Sequence, residues 1–569
     1  MTKRKLGVLL AGLVAGSAFA TAAAFAGDNE SGFKTSQPSM LTVLDPEQPT
    51  VPIITVGETM PGGYQFEAIP DGVSLKTRGQ GRVDLWVNHE TSLVPFPWGP
   101  NLTGAPPPST SNSQNDFDNA QVSHLILNQH SAGVLHGDFA IPSDANYQRF
   151  CSNFLAGETH GFERELLFTN EEATDIVSRT VNPPWPVAAG DPTAEQSGVV
   201  VAYDIKKKDY KSIYGMGRHN HENAVAVPGY GHPVVLSGDD TFSAPASQLY
   251  LYTAPSAAAL WSDAYVPGAT YARSVQQLWA LKMNDGTDGD SIAENDYGDL
   301  VPGETASGTF IPVPENVAKG GQSGLESWSN TNNVFQFIRV EDIAYDRNDS
   351  NVVYIADTGE PRARQDATDP ATNRLNRGPS GTNGPYPNGR IFKLVLDDDD
   401  PTTVTALSVL IDGDAGGYYS ASDPLPWRAV FHNPDNLETT ENSLFIQEDP
   451  GSQSNKAGET TAQIWRFDLG APVSSSNPVV VARVDQSADE GSTDVDPSST
   501  AGLPGAWESS GIVDASAAFG PGAFLVTVQA HSLWVEKKEG DLGFAPAGSD
   551  FWFKREGGQL VLIHLDPTW

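Results

Sequence analysis

The sequence contains very little cysteine and far fewer basic than acidic residues. Cys151 is the only cysteine among 569 residues, so no disulfide can form within the chain. A lone cysteine is buried and inert, pairs with another chain, or binds a metal as the thiolate. Lys and Arg number 34 against 71 Asp and Glu, which gives a formal net charge of −37. This balance argues against binding to nucleic acid or anionic lipid and favours either bound cations or a saline environment.

Beyond its amino terminus the sequence also lacks an apolar run long enough to span a membrane. The first residues combine a basic TKRK segment, an apolar stretch from Leu6 to Ala20 and small residues at Ala24–Ala26. This arrangement predicts a secretory signal peptide over residues 1–26. Later apolar runs are strand-sized and broken by Gly, Pro or charge, so we expect no membrane span. Residues 27–569 are predicted to form one domain, exported to the periplasm or the extracellular space.

Three segments repeat one phrase, in which a carboxylate beside Asn or Asp precedes a short apolar strand that ends in further carboxylates. They read HENAVAVPGYGHPVVLSGDD from His221, VEDIAYDRNDSNVVYIADTG from Val340 and PDNLETTENSLFIQEDPG from Pro434. The acids at the two ends of the copies are Glu222 with Asp239, Glu341 with Asp357, and Asp435 with Asp449. Each copy is followed by a strand of alternating aromatic and aliphatic residues: QLYLYT, GRIFKLVL and AQIWRFDL. Repetition of this kind indicates a propeller or a solenoid.

Short strand-like runs separated by turns cover the whole chain, and this predicts all-β structure. A closed β-propeller explains the long repeats better than a sandwich does. We expect loop insertions at Thr103–Asn115, Ala367–Asn388 and Ser487–Ala501, where Gly, Pro, Ser and Asp are frequent. Few short helices are expected, with the best candidates at Ser274–Met283 and near Ser256–Trp261.

Equivalent carboxylates of propeller blades converge near the axis, where they would repel one another unless cations hold them. Carboxylates suit calcium, whereas a thiolate beside carboxylates fits a softer or trivalent metal such as iron. Arg339 lies two residues before Glu341, on the same face of a strand, and could bind a phosphate bidentately. A salt bridge that only neutralises Glu341 is an equal alternative.

Several histidines and two acids have weaker claims to the site. His219 and His221 face the same side of a strand, opposite Glu222, either as ligands or substrate contacts or as core histidines. Glu508 in WESSG is either a fourth blade-leading carboxylate or a surface acid. Weaker candidates still are His89, Glu90, Gln529 and His531.

An ordered set of motifs resembles the PhoX-type alkaline phosphatases over most of the chain, from about Asn88 to about His531. The motifs are NHE at Asn88–Glu90, Cys151 followed by a strand ending in Glu171 and Glu172, GRHNHENA around Glu222, FIRVED around Arg339 and Glu341, PDNL with FIQED, and FLVTVQAH. Two features depart from the family. The leader lacks a twin arginine, and the segment after Cys151 is longer than the family's compact turn, which indicates a divergent branch in which the substrate can differ.

The resemblance implies a six-bladed propeller whose axial site holds an iron pair and calcium ions and hydrolyses phosphate monoesters. By this resemblance Cys151 is the iron-bound thiolate, Glu171, Glu222 and Glu341 are metal-binding carboxylates, and Arg339 binds the phosphate. The predicted catalytic residues are Arg339, Glu341 and Glu222. The predicted metal ligands are Cys151, Glu171, Glu222, Glu341, Asp435, Asp449 and Glu90.

Two other classes of function stay open. A calcium-dependent propeller hydrolase such as a lactonase would use the same carboxylates without needing Cys151 or Arg339. A non-catalytic, calcium-stabilised surface propeller would fit the acidic charge and the long insertions. For the phosphatase we expect a small phosphorylated substrate, no nucleic acid partner and a monomer.

Overall fold

The computed structural model of this chain is built almost entirely from strands. It describes residues 31–94, 119–241, 247–284, 297, 300, 302–362, 383–386, 388–414, 432–450, 461–474, 476–486, 507–531, 533–536, 551–554 and 557–569. The predicted signal peptide at 1–26, the insertions at 103–115 and 487–501 and most of the one at 367–388 lie outside the described residues.

The strands form six successive antiparallel modules, each with four core strands. In each module the strands are listed and numbered in the order in which they lie side by side in the sheet. Module 1 contains Pro70–Gly79, Arg82–His89, Gln121–Asn128 and Val134–Ile141. Module 2 contains Phe150–Ala156, Leu166–Glu171, Val200–Asp204 and Asp209–Ile213. Module 3 contains His221–Ala226, Val234–Asp239, Leu249–Thr253 and Gln277–Met283.

The other three modules follow the same order, with strands from the amino terminus added at the outer edge of two of them. Module 4 contains Val340–Tyr345, Val352–Asp357, Arg390–Leu396 and Thr403–Asp412. Module 5 contains Pro434–Thr439, Ser443–Glu448, Gln463–Asp468 and Val479–Val484, with Leu41–Val43 as a fifth strand. Module 6 contains Trp507–Asp514, Ala523–Ala530, Gly557–His564 and Thr50–Thr55.

The modules have a propeller-like arrangement. The first strand of each module contacts the first strand of the next, and Trp507–Asp514 of module 6 contacts Pro70–Gly79 of module 1. Thr305–Pro312 pairs with the fourth strands of both module 3 and module 4 and joins them into one sheet. Thr50–Thr55 completes module 6 from the other end of the chain, so the two ends of the fold share one sheet.

Apolar side chains fill the space between neighbouring modules. Leu251 of module 3 belongs to the same buried cluster as Ile355 and Phe392 of module 4. Leu85 of module 1 shares another cluster with Leu525 of module 6. Because both faces of these sheets are covered, burying each such side chain contributes about 1.5 to 3 kcal/mol. The modules therefore hold one another in place and fix their first strands around a common centre.

The described residues also contain helices and small strand pairs. The α-helices of the described residues are Ala257–Ser262, Glu315–Ala318, Gln322–Thr331 and Ser516–Phe519, and the 3-10 turns are Ser143–Ala145, Glu158–His160 and Tyr214–Met216. Three further strand pairs are Ile176–Ser178 with Ala194–Gln196, Glu360–Arg362 with Asn383–Tyr386, and Leu533–Glu536 with Phe551–Lys554. Among the described residues, none of the helices combines the length and the apolar character that crossing a membrane requires.

Of the two helix predictions, one is confirmed and the other is wrong. Ser256 caps Ala257–Ser262 by accepting a hydrogen bond from the Ala259 amide. The stretch predicted as a helix over Ser274–Met283 instead contains the strand Gln277–Met283. Its apolar residues do not alternate with polar ones because both faces are buried, with Trp279 and Leu278 in different core clusters.

The strand predictions that followed the three repeats are confirmed. QLYLYT, GRIFKLVL and AQIWRFDL become the third strands of modules 3, 4 and 5. The three repeated phrases correspond to the first two strands of these same modules. The sequence repeat is therefore the repeat of the fold.

A histidine on module 1 should make stability depend on pH. His124 Nε2 lies 2.9 Å from Asp84 Oδ1, and Nδ1 lies 2.9 Å from Asp138 Oδ1. Burial lowers the pKa of His124, but the hydrogen bonds to the two carboxylates outweigh burial and raise the pKa above its ordinary value of 6.5. The stabilisation is therefore full below the pKa that His124 has in the unfolded chain. It is lost as the pH rises through the pKa of His124 in the folded protein.

We expect His124→Gln to lower the free energy of unfolding by roughly 1 to 2 kcal/mol at about pH 6 and by much less at about pH 9. Denaturant unfolding at both pH values measures this. His130→Gln, at an exposed position of the same module, is the matched control. An equal loss for His124→Gln at both pH values would contradict the assignment of a charged imidazole.

Candidate metal centre

The second residue of every first strand is a potential metal ligand. In modules 1 to 6 these residues are Asp71, Cys151, Glu222, Glu341, Asp435 and Glu508. In modules 1 to 5 the pairing with the second strand shifts register just after the strand's first residue, around this position. Such an irregularity changes the direction in which a side chain points. The shift therefore explains locally why these side chains depart from the regular alternation of the sheet.

A second set of side chains comes from the residue that follows each second strand. In module order these residues are Glu90, Glu172, Asp240, Thr358, Asp449 and His531. The first residue of every first strand pairs with the last residue of the second strand, as Phe150 does with Glu171. Both sets therefore lie at the same end of the modules, next to each other.

Among the described residues, nine members of the two sets form four contiguous groups of ligand atoms. Within each group the ligand atoms lie within 4.8 Å of one another. The groups are Asp71–Glu90–Cys151, Cys151–Glu172–Glu222, Glu222–Glu341–Asp435 and Asp435–Asp449–Glu508. Since Cys151, Glu222 and Asp435 each belong to two groups, the four positions form one chain that passes from module 1 to module 6.

Most acids of the groups are held where a negative charge is unfavourable. Burial raises the pKa of Glu222, and the charges of Glu341 and Asp435 raise it further. Burial likewise raises the pKa of the Cys151 thiol, with Asp71 and Glu222 adding to the shift. Burial also raises the pKa values of Asp71, Glu172, Glu341, Asp435 and Glu508. Without cations the centre would keep protons, and a bound cation would reverse the preference.

The donor set fits hard and borderline metal ions. Glu222 Oε1 accepts a hydrogen bond of 2.9 Å from Ser152, while Glu222 Oε2 is buried with no hydrogen-bond partner among the described residues. A buried carboxylate oxygen without a partner is costly, and a cation would satisfy it. Cys151 Sγ lies 2.9 Å from Asp71 Oδ2. A metal between them would take the place of the shared proton.

Arg339 lies beside two acids of the centre. Its Nε and Nη2 donate to Asp240 Oδ1 and Oδ2 over 2.6 and 2.5 Å. Nη2 also lies 3.1 Å from Glu341 Oε1. The bidentate pair fixes the plane of the guanidinium next to a ligand group. The structure thus shows the ion pair that was one alternative for Arg339, and the phosphate-binding role stays a prediction.

The structure brings most of the predicted ligands together. Cys151, Glu222, Glu341, Asp435, Asp449 and Glu90 all belong to the four groups. Glu171 belongs to none of them. It accepts hydrogen bonds from the Arg179 side chain at 2.6 and 2.8 Å and from the backbone N–H of Gln148 at 2.9 Å. The next residue, Glu172, has the position at the centre that the sequence analysis gave to Glu171.

Acidic doublets explain this displacement by one residue. In modules 2, 4 and 5 the last residue of the second strand accepts a hydrogen bond from the amide two residues before the first strand. The pairs are Glu171 with Gln148, Asp357 with Ile338, and Glu448 with His432. In modules 2 and 5 the residue that follows this acid is a second acid, Glu172 or Asp449, and it belongs to a ligand group.

Three residues of the centre received no role or only a weak one in the sequence analysis, although the sequence carries a signal for each. Asp71 follows Pro70 in the same Pro-Asp dipeptide as Asp435. Glu172 is the second member of a doublet. Glu508, proposed as either a fourth blade-leading acid or a surface acid, is buried in the last group.

The histidines lie beside the centre without joining its groups. The rings of His219 and His221 are 3.6 Å apart, which agrees with their predicted position on one side of the strand. His221 Nε2 contacts the Gly217 carbonyl at 3.2 Å, and His219 Nδ1 lies 3.8 Å from Asp239 Oδ1. His531 Nε2 lies 3.8 Å from Glu508 Oε2.

Comparison with protein families gives the centre a context. The family model described as alkaline phosphatase PhoX matches residues 194–490, more than half of the chain. The chain belongs to this family. The matched region of this PhoX-family protein includes Glu222, Arg339 and Glu341, whereas Cys151 lies before it. The sequence resemblance is thereby confirmed.

Other comparisons add little. No curated protein matches the chain. A protein of unknown function from Dyadobacter fermentans DSM 18053 matches with 8% identity and a TM-score of 0.39, over 93% of this chain and 100% of that one. The NanB sialidase from Streptococcus pneumoniae matches with 8% identity and a TM-score of 0.34, over 87% of this chain and 68% of that one. The Dos1 propeller matches with 7% identity and a TM-score of 0.28, over 89% and 81%. Similarity at this level establishes neither a common fold nor a common function.

The carboxylates should make the stability of the metal-free protein fall as the pH rises. Burial raises the pKa of Glu90 from 4.5 to about 7, and the charge of Asp71 adds to the shift. A raised folded pKa means that the favourable contribution is full below the unfolded pKa and is lost as pH rises through the folded pKa. Bound cations stabilise the charged form of the carboxylates. The metal-bound protein should therefore not lose stability as the pH rises.

We expect the melting temperature of chelator-treated protein to fall between about pH 5 and about pH 8, while that of metal-loaded protein holds. Thermal unfolding monitored by circular dichroism, with and without chelator, measures the difference. Coincident curves for the two forms at every pH would refute a metal requirement at this centre.

Proposed function

We propose that this PhoX-family protein is a metal-dependent phosphatase that hydrolyses phosphate monoesters at the centre. The observation that carries this proposal is the chain of four ligand groups, with eight carboxylates and Cys151, beside Arg339. The membership of the PhoX family supplies the reaction class. The proposed substrate is a small phosphorylated molecule.

We propose iron for the two groups that share Cys151 and calcium for the other two. Thiolate is a softer ligand than carboxylate and suits iron, whereas groups made only of carboxylates suit calcium. The acids of the calcium groups are Glu222, Glu341, Asp435, Asp449 and Glu508. Glu222 would contribute to both kinds of site and so couple them.

The bound metals would polarise the phosphoryl oxygens and activate an oxygen nucleophile. Arg339 would bind the phosphate through its planar guanidinium, whose orientation Asp240 fixes. Glu341, 3.1 Å from Arg339, would hold a metal next to the bound phosphate. Glu222 would position the neighbouring metals. Because these side chains are buried, they are held in place before the substrate arrives, and this lowers the cost of reorganisation.

Two broader features belong to the same proposal. We propose that the six modules are six blades of a closed propeller, which the contacts between successive first strands support. We also propose export, with the signal peptide over residues 1–26 removed, on the basis of the TKRK segment and the apolar stretch that follows it.

A calcium-dependent hydrolase such as a lactonase is the second candidate. The two groups without sulfur, which share Asp435, favour it. A lactonase would have no need for Cys151, yet Cys151 belongs to the other two groups. The place of this thiol in the centre favours the phosphatase.

Cys151→Ser should remove bound iron and leave calcium in place. A hydroxyl is a far poorer iron ligand than a thiolate, while a substitution of this size leaves the fold intact. Elemental analysis of the purified protein measures both metals, and circular dichroism checks the fold. Parental iron content in the variant, or a parent with calcium and no iron, would refute the iron assignment.

Arg339→Ala should keep the metals and lose phosphate binding. Removing a charged group that binds the transition state costs on the order of 2 to 4 kcal/mol, or roughly 30- to 900-fold in kcat/KM. Hydrolysis of p-nitrophenyl phosphate measures this loss. The control is Arg347→Ala, which breaks the ion pair with Glu438 just beyond the other end of the same strand. Parental activity of Arg339→Ala would exclude the phosphate-binding role.

A further inference from the structure

Arg149 has the same place in module 2 that Arg339 has in module 4. Each arginine directly precedes a first strand and lies two residues before a ligand of the centre, Cys151 or Glu341. The two side chains nevertheless have different partners. Arg339 pairs with Asp240 at the centre, whereas Arg149 Nη1 lies 2.5 Å from Asp175 Oδ2.

The backbone at Arg149 is in an uncommon conformation. Its φ angle is 42°, and the residues at the same place in modules 1 and 5, Ile69 and Asn433, have φ angles of 30° and 50°. A left-handed conformation is unfavourable for residues with a side chain and persists only where neighbouring contacts impose it. For Arg149 those contacts can be named.

Three contacts fasten the segment 171–175 to residues 148 and 149. The Gln148 amide donates to Glu171 Oε1 over 2.9 Å. The Glu172 amide donates to the Arg149 carbonyl oxygen over 3.0 Å. The ion pair between Arg149 and Asp175 closes the far end of the segment. Glu172 therefore lies between Glu171 and Asp175, which both contact residues just before the strand of Cys151.

The ion pair is shielded from solvent. The side chains of Arg149 and Asp175 are 8% and 5% exposed, so solvent screens their attraction little. The contacts of Arg149 thus fix the backbone of the ligand Glu172.

We propose that Arg149 and Asp175 are positioning residues that hold Cys151 and Glu172 at ligating separation. The inference depends on the proposed function only in that the group Cys151–Glu172–Glu222 binds a metal. Partners that orient metal ligands typically affect metal affinity by about 10- to 100-fold when they are mutated.

The test measures metal affinity without using catalysis. Apoprotein is titrated with Co²⁺, whose thiolate charge-transfer absorption reports binding at Cys151. We expect Arg149→Gln and Asp175→Asn each to weaken Co²⁺ binding by about 10- to 100-fold. The double variant should be little worse than either single one, since both remove one interaction. Arg149→Lys, which keeps the charge, should recover part of the affinity.

Two controls separate positioning from general destabilisation. Arg164→Gln breaks an ion pair with Asp204 at the opposite end of module 2 and should leave Co²⁺ affinity unchanged. Isosteric Asp175→Asn, checked by thermal unfolding of the apoprotein, keeps the test informative even where Arg149→Gln does not fold.

Unchanged Co²⁺ affinity in folded Arg149→Gln and Asp175→Asn would overturn the proposal. Weaker inhibition by inorganic phosphate with unchanged Co²⁺ affinity would also overturn it and make Arg149 an anion-binding residue instead. A parent that binds Co²⁺ at Cys151 but hydrolyses no phosphate ester would refute the phosphatase and leave the positioning role standing. A parent without a thiolate-to-cobalt band would refute both.

Discussion

Repulsion among buried carboxylates is the constraint on which this structure depends. Eight carboxylates and one thiol form four adjoining groups whose ligand atoms lie within 4.8 Å of one another. Two like charges about 4 Å apart repel by roughly 4 kcal/mol at an effective dielectric constant of about 20, so several such pairs would offset much of the stability of a domain. The fold can keep these acids together only as protonated groups or with cations between them, and the second choice makes the centre chemically useful.

The modules meet this constraint with one device used repeatedly. A register shift near the start of the first strand accompanies each ligand in modules 1 to 5. The acid that ends the second strand binds a backbone amide in modules 2, 4 and 5, and in modules 2 and 5 the following residue belongs to the centre. Apolar packing between modules then sets the distance from one ligand to the next. Each group thus combines rigid spacing with side chains drawn from neighbouring modules.

Part of the site could be read from the sequence because the repeat of the fold is a repeat of residues. Glu222, Glu341 and Asp435 were predicted from their equal places in the three phrases, and all three lie in the centre. Glu171 was exchanged for Glu172, because a strand alternates its faces and an error of one residue reverses the side to which an acid points. Asp71 was missed since it lies outside the three repeated phrases, and only the Pro-Asp dipeptide links it to Asp435.

The sequence by itself determined the all-β class, the family and the kinds of ligand, because strand patterns, motifs and residue types are local properties. The choice between helix and strand over Ser274–Met283 required the tertiary structure, since a strand buried on both faces loses its alternation. The grouping of ligands, such as Cys151 with both Glu90 and Glu222, was likewise decided only there. Such distances arise from the packing of modules that lie far apart in the chain, and no local pattern records them.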